Sequence, residues 1–186
     1  METPVETIDE SEIEVEILSP GEPEATAGKN DSADSIVACL ARVRLFADLP
    51  AVYLRRIAQL GVEESYARGA PIFAEGTSGD KLYVILAGSV RISRQVPGMG
   101  EEALAILKAG DYFGEMALID DFPRSADAIA HESCRLLVLT KERLADLLFV
   151  DRDLAYDLLW SFVRTLSARL RETNDKMTFL AVSSKF

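Results

Sequence analysis

The chain contains the run Tyr112-Phe113-Gly114-Glu115-Met116-Ala117-Leu118, followed six residues later by Arg124-Ser125-Ala126. These residues sit in one short loop between strand-like runs. They supply a carboxylate that can accept a hydrogen bond from a hydroxyl, and the start of a one-turn helix with unsatisfied backbone N–H groups. They also supply a guanidinium whose planar fork matches two phosphate oxygens. Gly114 permits close backbone approach, and Ser125 adds a hydroxyl donor. An arginine nine residues after a glutamate is, taken alone, ordinary surface charge. Compressed into this loop, the set has the chemistry to hold a sugar phosphate.

Such a loop needs rigid elements on both sides, and the apolar periodicity supplies them. Residues 34–60 read as helical, with Ile36, Val37, Leu40 and Val43, then Val52, Leu54, Ile57 and Leu60, and a break at Asp48 and Pro50. From Val62 to Leu139 the pattern changes to short β-rich runs punctuated by glycines, as in a small antiparallel barrel or roll. Thr140, ahead of Lys141-Glu142-Arg143, is a suitable N-cap for a return to helix. A closing helix over 153–176 carries Leu154, Leu158, Phe162, Leu166, Leu170 and Met177, with Leu159, Trp160 and Val163 widening the stripe.

With 186 residues the chain is long enough for one well-cored domain. Residues 1–33 carry ten acids against Lys29, a balance of −9, so the rest holds only −2 of the total −11. This acidic segment is expected to be a disordered tail, with the domain proper at 34–186. The alternation Glu12-Ile13-Glu14-Val15-Glu16-Ile17 keeps open a strand added to some partner. The near-neutral remainder offers no basic face for nucleic acid. Cys39 and Cys134 lack CxxC spacing and read as small buried hydrophobes. An acidic N-terminus and the lack of any apolar run near the eighteen or so residues of a membrane span imply a cytoplasmic protein without a membrane partner.

The loop and its surroundings resemble the phosphate-binding cassette of the cyclic-nucleotide-binding domain family, which includes catabolite activator protein and protein kinase A regulatory subunits. The resemblance runs from about Leu45 to Met177. It includes Ile72-Phe73 with Gly76, Gly79-Asp80, the run Leu82-Tyr83-Val84-Ile85-Leu86 with Gly88-Ser89-Val90, and Gly110-Asp111-Tyr112-Phe113-Gly114-Glu115. It implies a mainly β fold with flanking helices, an antiparallel, jelly-roll-like β-roll. Arg124, Ser125 and Ala126 would bind the cyclic phosphate, with the backbone of Met116 and Ala117. Gly114 and Glu115 would bind the ribose, Glu115 through its 2′-hydroxyl. Ile92 and Leu104 would touch the purine, and Thr173 and Asn174 would reach the base from the last helix, Asn174 being equally readable as a solvated helix position. Serine at 125, where guanine-preferring members often carry threonine, together with Thr173 in the last helix, favours cyclic AMP over cyclic GMP. About ten residues follow the closing helix where a helix-turn-helix domain needs several dozen, so no DNA-binding attachment is expected.

Gly98-Met99-Gly100-Glu101-Glu102-Ala103 fits GxGxxA but lies between two strand-like runs, as a hairpin turn does. A cupin-type metal site would need clustered histidines, and His131 is the single histidine, so no metal is expected. No catalytic dyad or triad is evident, and the chain reads as a non-enzyme. Two functions follow. One is a sensor that signals to an unidentified protein partner by moving its last helix, which related activators also use for homodimerisation. The alternative is an interaction module that kept the roll and lost its response to nucleotide.

Overall fold

The computed structural model describes residues 32–120 and 122–183. The acidic segment and its Glu12–Ile17 alternation lie outside these residues. Two helices come first, α1 (Ser32–Leu40) and α2 (Ala51–Leu60). Six strands follow: β1 (Val62–Tyr66), β2 (Pro71–Phe73), β3 (Lys81–Ala87), β4 (Ser89–Val96), β5 (Gly100–Lys108) and β6 (Tyr112–Phe113). The one-turn helix α3 (Met116–Ile119) leads into β7 (Asp127–Ala130) and β8 (Cys134–Thr140). The chain closes with α4 (Lys141–Val150) and α5 (Arg152–Ser183).

The strands form two four-stranded antiparallel sheets, β1-β8-β3-β6 and β2-β7-β4-β5. This is the expected β-roll with flanking helices. The unbroken apolar runs of β3 and β8 follow from their position, because both strands are covered on both faces. Leu82 and Val84 of β3 and Leu137 and Leu139 of β8 pack with Leu40, Phe46, Ile57, Leu154 and Leu158 beneath the helices. The intervening Tyr83, Ile85, Leu136 and Val138 face the other way and meet Val90, Phe113, Ala128 and Ala130 between the sheets. A period of two therefore serves two cores from one strand.

Local signals behave as their chemistry dictates. The Thr140 side chain accepts from the Arg143 N–H and caps α4. Asp151 does the same for the N-terminus of α5, its Oδ1 accepting from Leu154 N–H at 3.0 Å while its other oxygen pairs with Arg56. Between β4 and β5 the GxGxxA match is a hairpin, with Met99 N–H bonded to Val96 O at 3.0 Å. Cys39 and Cys134 are buried. His131 is exposed in the turn between β7 and β8.

The closing helix is longer than expected. It runs 32 residues, to Ser183. Leu154 and Leu158 are fully buried against the chain's own core, and Phe162 packs at its edge. Leu166 and Leu170 are 41% and 62% exposed. Past Arg169, which pairs with Glu115, the exposed apolar residues Leu170, Met177 and Phe179 continue along α5.

Candidate functional site

The cassette forms one wall of a cavity of about 380 Å³ that opens between the two sheets and α5. That size is within the usual range for small-molecule sites. Arg124 lies at its polar end. Its backbone is pinned to the loop before β3, with Arg124 N–H donating to Thr77 O at 2.8 Å and Gly76 N–H to Arg124 O at 2.9 Å. Only 7% of Arg124 is exposed. The guanidinium lies 4.2 Å from the centroid of Phe73, donating to Gly114 O at 3.2 Å and Lys81 O at 3.1 Å. Nε has no partner.

Two glycines make room for this group. A Cβ on Gly79 would stand 2.2 Å from Arg124 Nε, and one on Gly114 would stand 2.7 Å from Nη1 and 2.9 Å from Lys81 O. Gly114 also has φ +77°, a left-handed conformation that side chains disfavour. Both motif glycines thus serve the same arginine. Burial lowers the Arg124 pKa from its ordinary value, opposed by Tyr83, Asp80 and Glu115. Arginine still stays charged across physiological pH. Burial likewise pushes the neighbouring Tyr83 phenol up to about 12, so it is neutral there and serves by packing, stacked on Phe113 at 5.0 Å.

Glu115 is buried beside α3 and forms an ion pair with Arg169 of α5, 54 residues away. Arg169 also lies 4.9 Å from the ring of Tyr112, whose pKa burial raises and Arg169 pulls back down. The carboxylate is thus held at the cavity wall, and its partner Arg169 lines the same cavity. Ser125 lies at the rim, its hydroxyl 3.9 Å from Met116 Sδ. Ala126 is buried, and Met116 and Ala117 lie in α3 as expected.

The opposite end is apolar. Ile92 lines it, together with Ala105 and Leu107. Leu104 does not. The register slips between Ile92 and Ser93, so that Ala105 faces Ile92 and Ala103 faces Ser93. Leu104 is left as the extra residue of a bulge, 57% exposed. Thr173 and Asn174 are exposed on α5 and outside the lining; the Thr173 hydroxyl donates to Arg169 O at 2.9 Å. The residue α5 does bring to the cavity is Arg169, one turn earlier. Helical spacing placed it on the same face as Thr173, but only the docking angle of α5 selects which turn reaches the site. Phe73 beneath the arginine and Phe122 on the cassette loop also line the cavity, and neither is assigned by the sequence reading.

A buried arginine, a buried carboxylate and an apolar wall around one small cavity are the parts of a nucleotide-sized anion site. Residues 63–151 match the family described as cyclic nucleotide-binding domain. Over 115 residues the chain is 34% identical to the CRP-like cAMP-activated global transcriptional regulator of Mycobacterium tuberculosis, covering 62% of this chain and 50% of that protein. It is 39% identical over 116 residues to the cyclic AMP receptor protein of Thermus thermophilus, covering 62% and 52%. The N-terminal domain of a transcriptional regulator from Streptomyces coelicolor A3(2) superposes with a TM-score of 0.66 at 36% identity, covering 75% of this chain and 94% of that one. The matches also include cGMP-dependent protein kinases and cAMP-dependent protein kinase regulatory subunits.

Residues 63–151 belong to the cyclic nucleotide-binding domain family. The chain spans about half the length of the curated regulators it matches. Among the described residues no group of histidine, cysteine or acidic side chains could hold a metal ion, and no helix is long and apolar enough to cross a membrane.

Proposed function

We propose that this protein is a cytoplasmic, non-catalytic sensor that binds cyclic AMP in preference to cyclic GMP and signals to a separate protein through α5. The observation that carries the reading is Arg124: a buried guanidinium on a cavity wall that, among the described residues, donates only to two neutral carbonyls and leaves Nε unpartnered. A buried cation without a counter-charge in hydrogen-bond contact is costly. A cyclic phosphate would supply that charge. Glu115 would accept from the ribose 2′-hydroxyl, and Ile92, Ala105 and Leu107 would take one face of the base. Ser125 in place of threonine leaves the guanine-preferring contact unmade.

Signalling follows from where Arg169 is tied. The ribose acid and α5 are joined by the Glu115–Arg169 ion pair, so a ligand that engages Glu115 alters a bond holding α5 to the roll. The exposed face of α5 presents Leu159, Val163, Leu166, Leu170 and Met177 at alternating four- and three-residue intervals once Thr173 is included, the spacing of a coiled-coil seam. That row suits a second copy of the chain. Calorimetric titration with cyclic AMP and cyclic GMP tests the reading. Cyclic AMP is expected to bind about tenfold tighter, equivalent to about 1.4 kcal/mol. Absence of heat with either nucleotide overturns it.

A further inference from the structure

A flat base resting on Ile92, Ala105 and Leu107 is covered on one face only. The other face needs a partner or stays in water. Among the described residues α5 contributes only Arg169 to the cavity lining, and that guanidinium is held by Glu115. The cassette loop contributes something different. Phe122 lines the same cavity and is 74% exposed.

An exposed phenylalanine is by itself unremarkable. The position of this one is specific. It lies two residues before Arg124, and both line the same cavity. Pro123 between them restricts the backbone, and Phe122 N–H is held by Asp120 Oδ1 at 3.3 Å. The ring is therefore carried by the same short stretch that fixes the phosphate arginine, and on the cavity side of it. An aromatic face can stack on any base, because every base presents a π surface.

We propose that Phe122 stacks on the open face of the bound base, so that the cassette itself closes the base site. This rests on the nucleotide-binding reading above. The contact is to the face of the base and not its edge, so it adds affinity without choosing between adenine and guanine. Selectivity stays with Ser125.

The test is calorimetric titration of the full chain and of Phe122→Ala and Phe122→Trp with cyclic AMP and with cyclic GMP. Phe122→Ala is expected to weaken both nucleotides by a common factor of about ten or more, the scale of losing one aromatic–base stack. Phe122→Trp is expected to restore wild-type affinity or exceed it. The melting temperature without ligand should stay within a degree or two, since the ring is mostly in water. Wild-type binding combined with a Phe122→Ala affinity within twofold overturns the stacking role and leaves the site standing. Failure of Phe122→Trp to recover affinity overturns it as well, since loop geometry and not the ring would then matter. Absence of binding by the wild type overturns both readings together.

Discussion

Arg124→Ala separates the ligand role of this arginine from any structural one, because the two predict opposite results. Among the described residues the guanidinium makes two hydrogen bonds to carbonyls, a close contact with the Phe73 ring and a longer one with the Tyr83 ring. Each charged hydrogen bond contributes about 1.5–3 kcal/mol and a close ring contact about 0.5–2 kcal/mol. Against these stands the desolvation of a cation only 7% exposed, which costs several kcal/mol. The terms nearly cancel, so truncation should change unfolding free energy by no more than about 2 kcal/mol. Binding has no such cancellation, since a phosphate in the variant's cavity would be desolvated without its partner. The expected loss is about 2–5 kcal/mol, or roughly 30- to several-thousand-fold. Thermal melts with and without cyclic AMP, paired with calorimetry, read both quantities on one sample. A folded variant with unchanged affinity refutes the phosphate role. A variant that unfolds at assay temperature refutes the argument that desolvation offsets the contacts.

Glu115 can be tested by a cycle between Glu115→Ala and 2′-deoxy cyclic AMP. Removing either partner should cost about 1.5–3 kcal/mol and removing both little more, whereas additive losses would show that the carboxylate does not meet the ribose; Glu115→Gln, which keeps an acceptor, should lose less than Arg124→Ala. Leu166→Glu with Leu170→Glu should convert a dimer to a monomer in light scattering without lowering the melting temperature, because both side chains are exposed on their own chain. A wild-type protein monomeric at high micromolar concentration excludes the seam. Asp151 has its pKa lowered, first by the Leu154 N–H bond and then by Arg56. Its stabilising effect is therefore present above the unfolded carboxylate pKa and lost as pH falls through the lower folded value. Asp151→Ala should melt several degrees lower at pH 7, and the difference should shrink towards pH 3; a gap independent of pH would show that the ionised carboxylate is not responsible.

What the sequence determined was whatever depends on neighbours along the chain. Gly114-Glu115 and Arg124-Ser125-Ala126 mark the cassette in the sequence because they fall within one loop. The apolar runs of β3 and β8 mark strands covered on both faces, and Thr140 marks the start of α4, for reasons equally local. The residues that only the tertiary structure decided are those whose partners lie far away. Phe73 lies under Arg124 because β2 and the cassette meet through β7. Leu104 gives way to Ala105 because one bulge in β5 shifts which residues face inward, and a bulge leaves no reliable mark in strand periodicity. The stripe of α5 looked continuous in sequence, yet Leu154 and Leu158 are buried while Leu166 and Leu170 are not. The docking of α5 brings Arg169 to Glu115 and leaves Thr173 and Asn174 outside the cavity lining. Helical periodicity fixes a face, but only the packing of one element on another fixes which turn of that face arrives at the site.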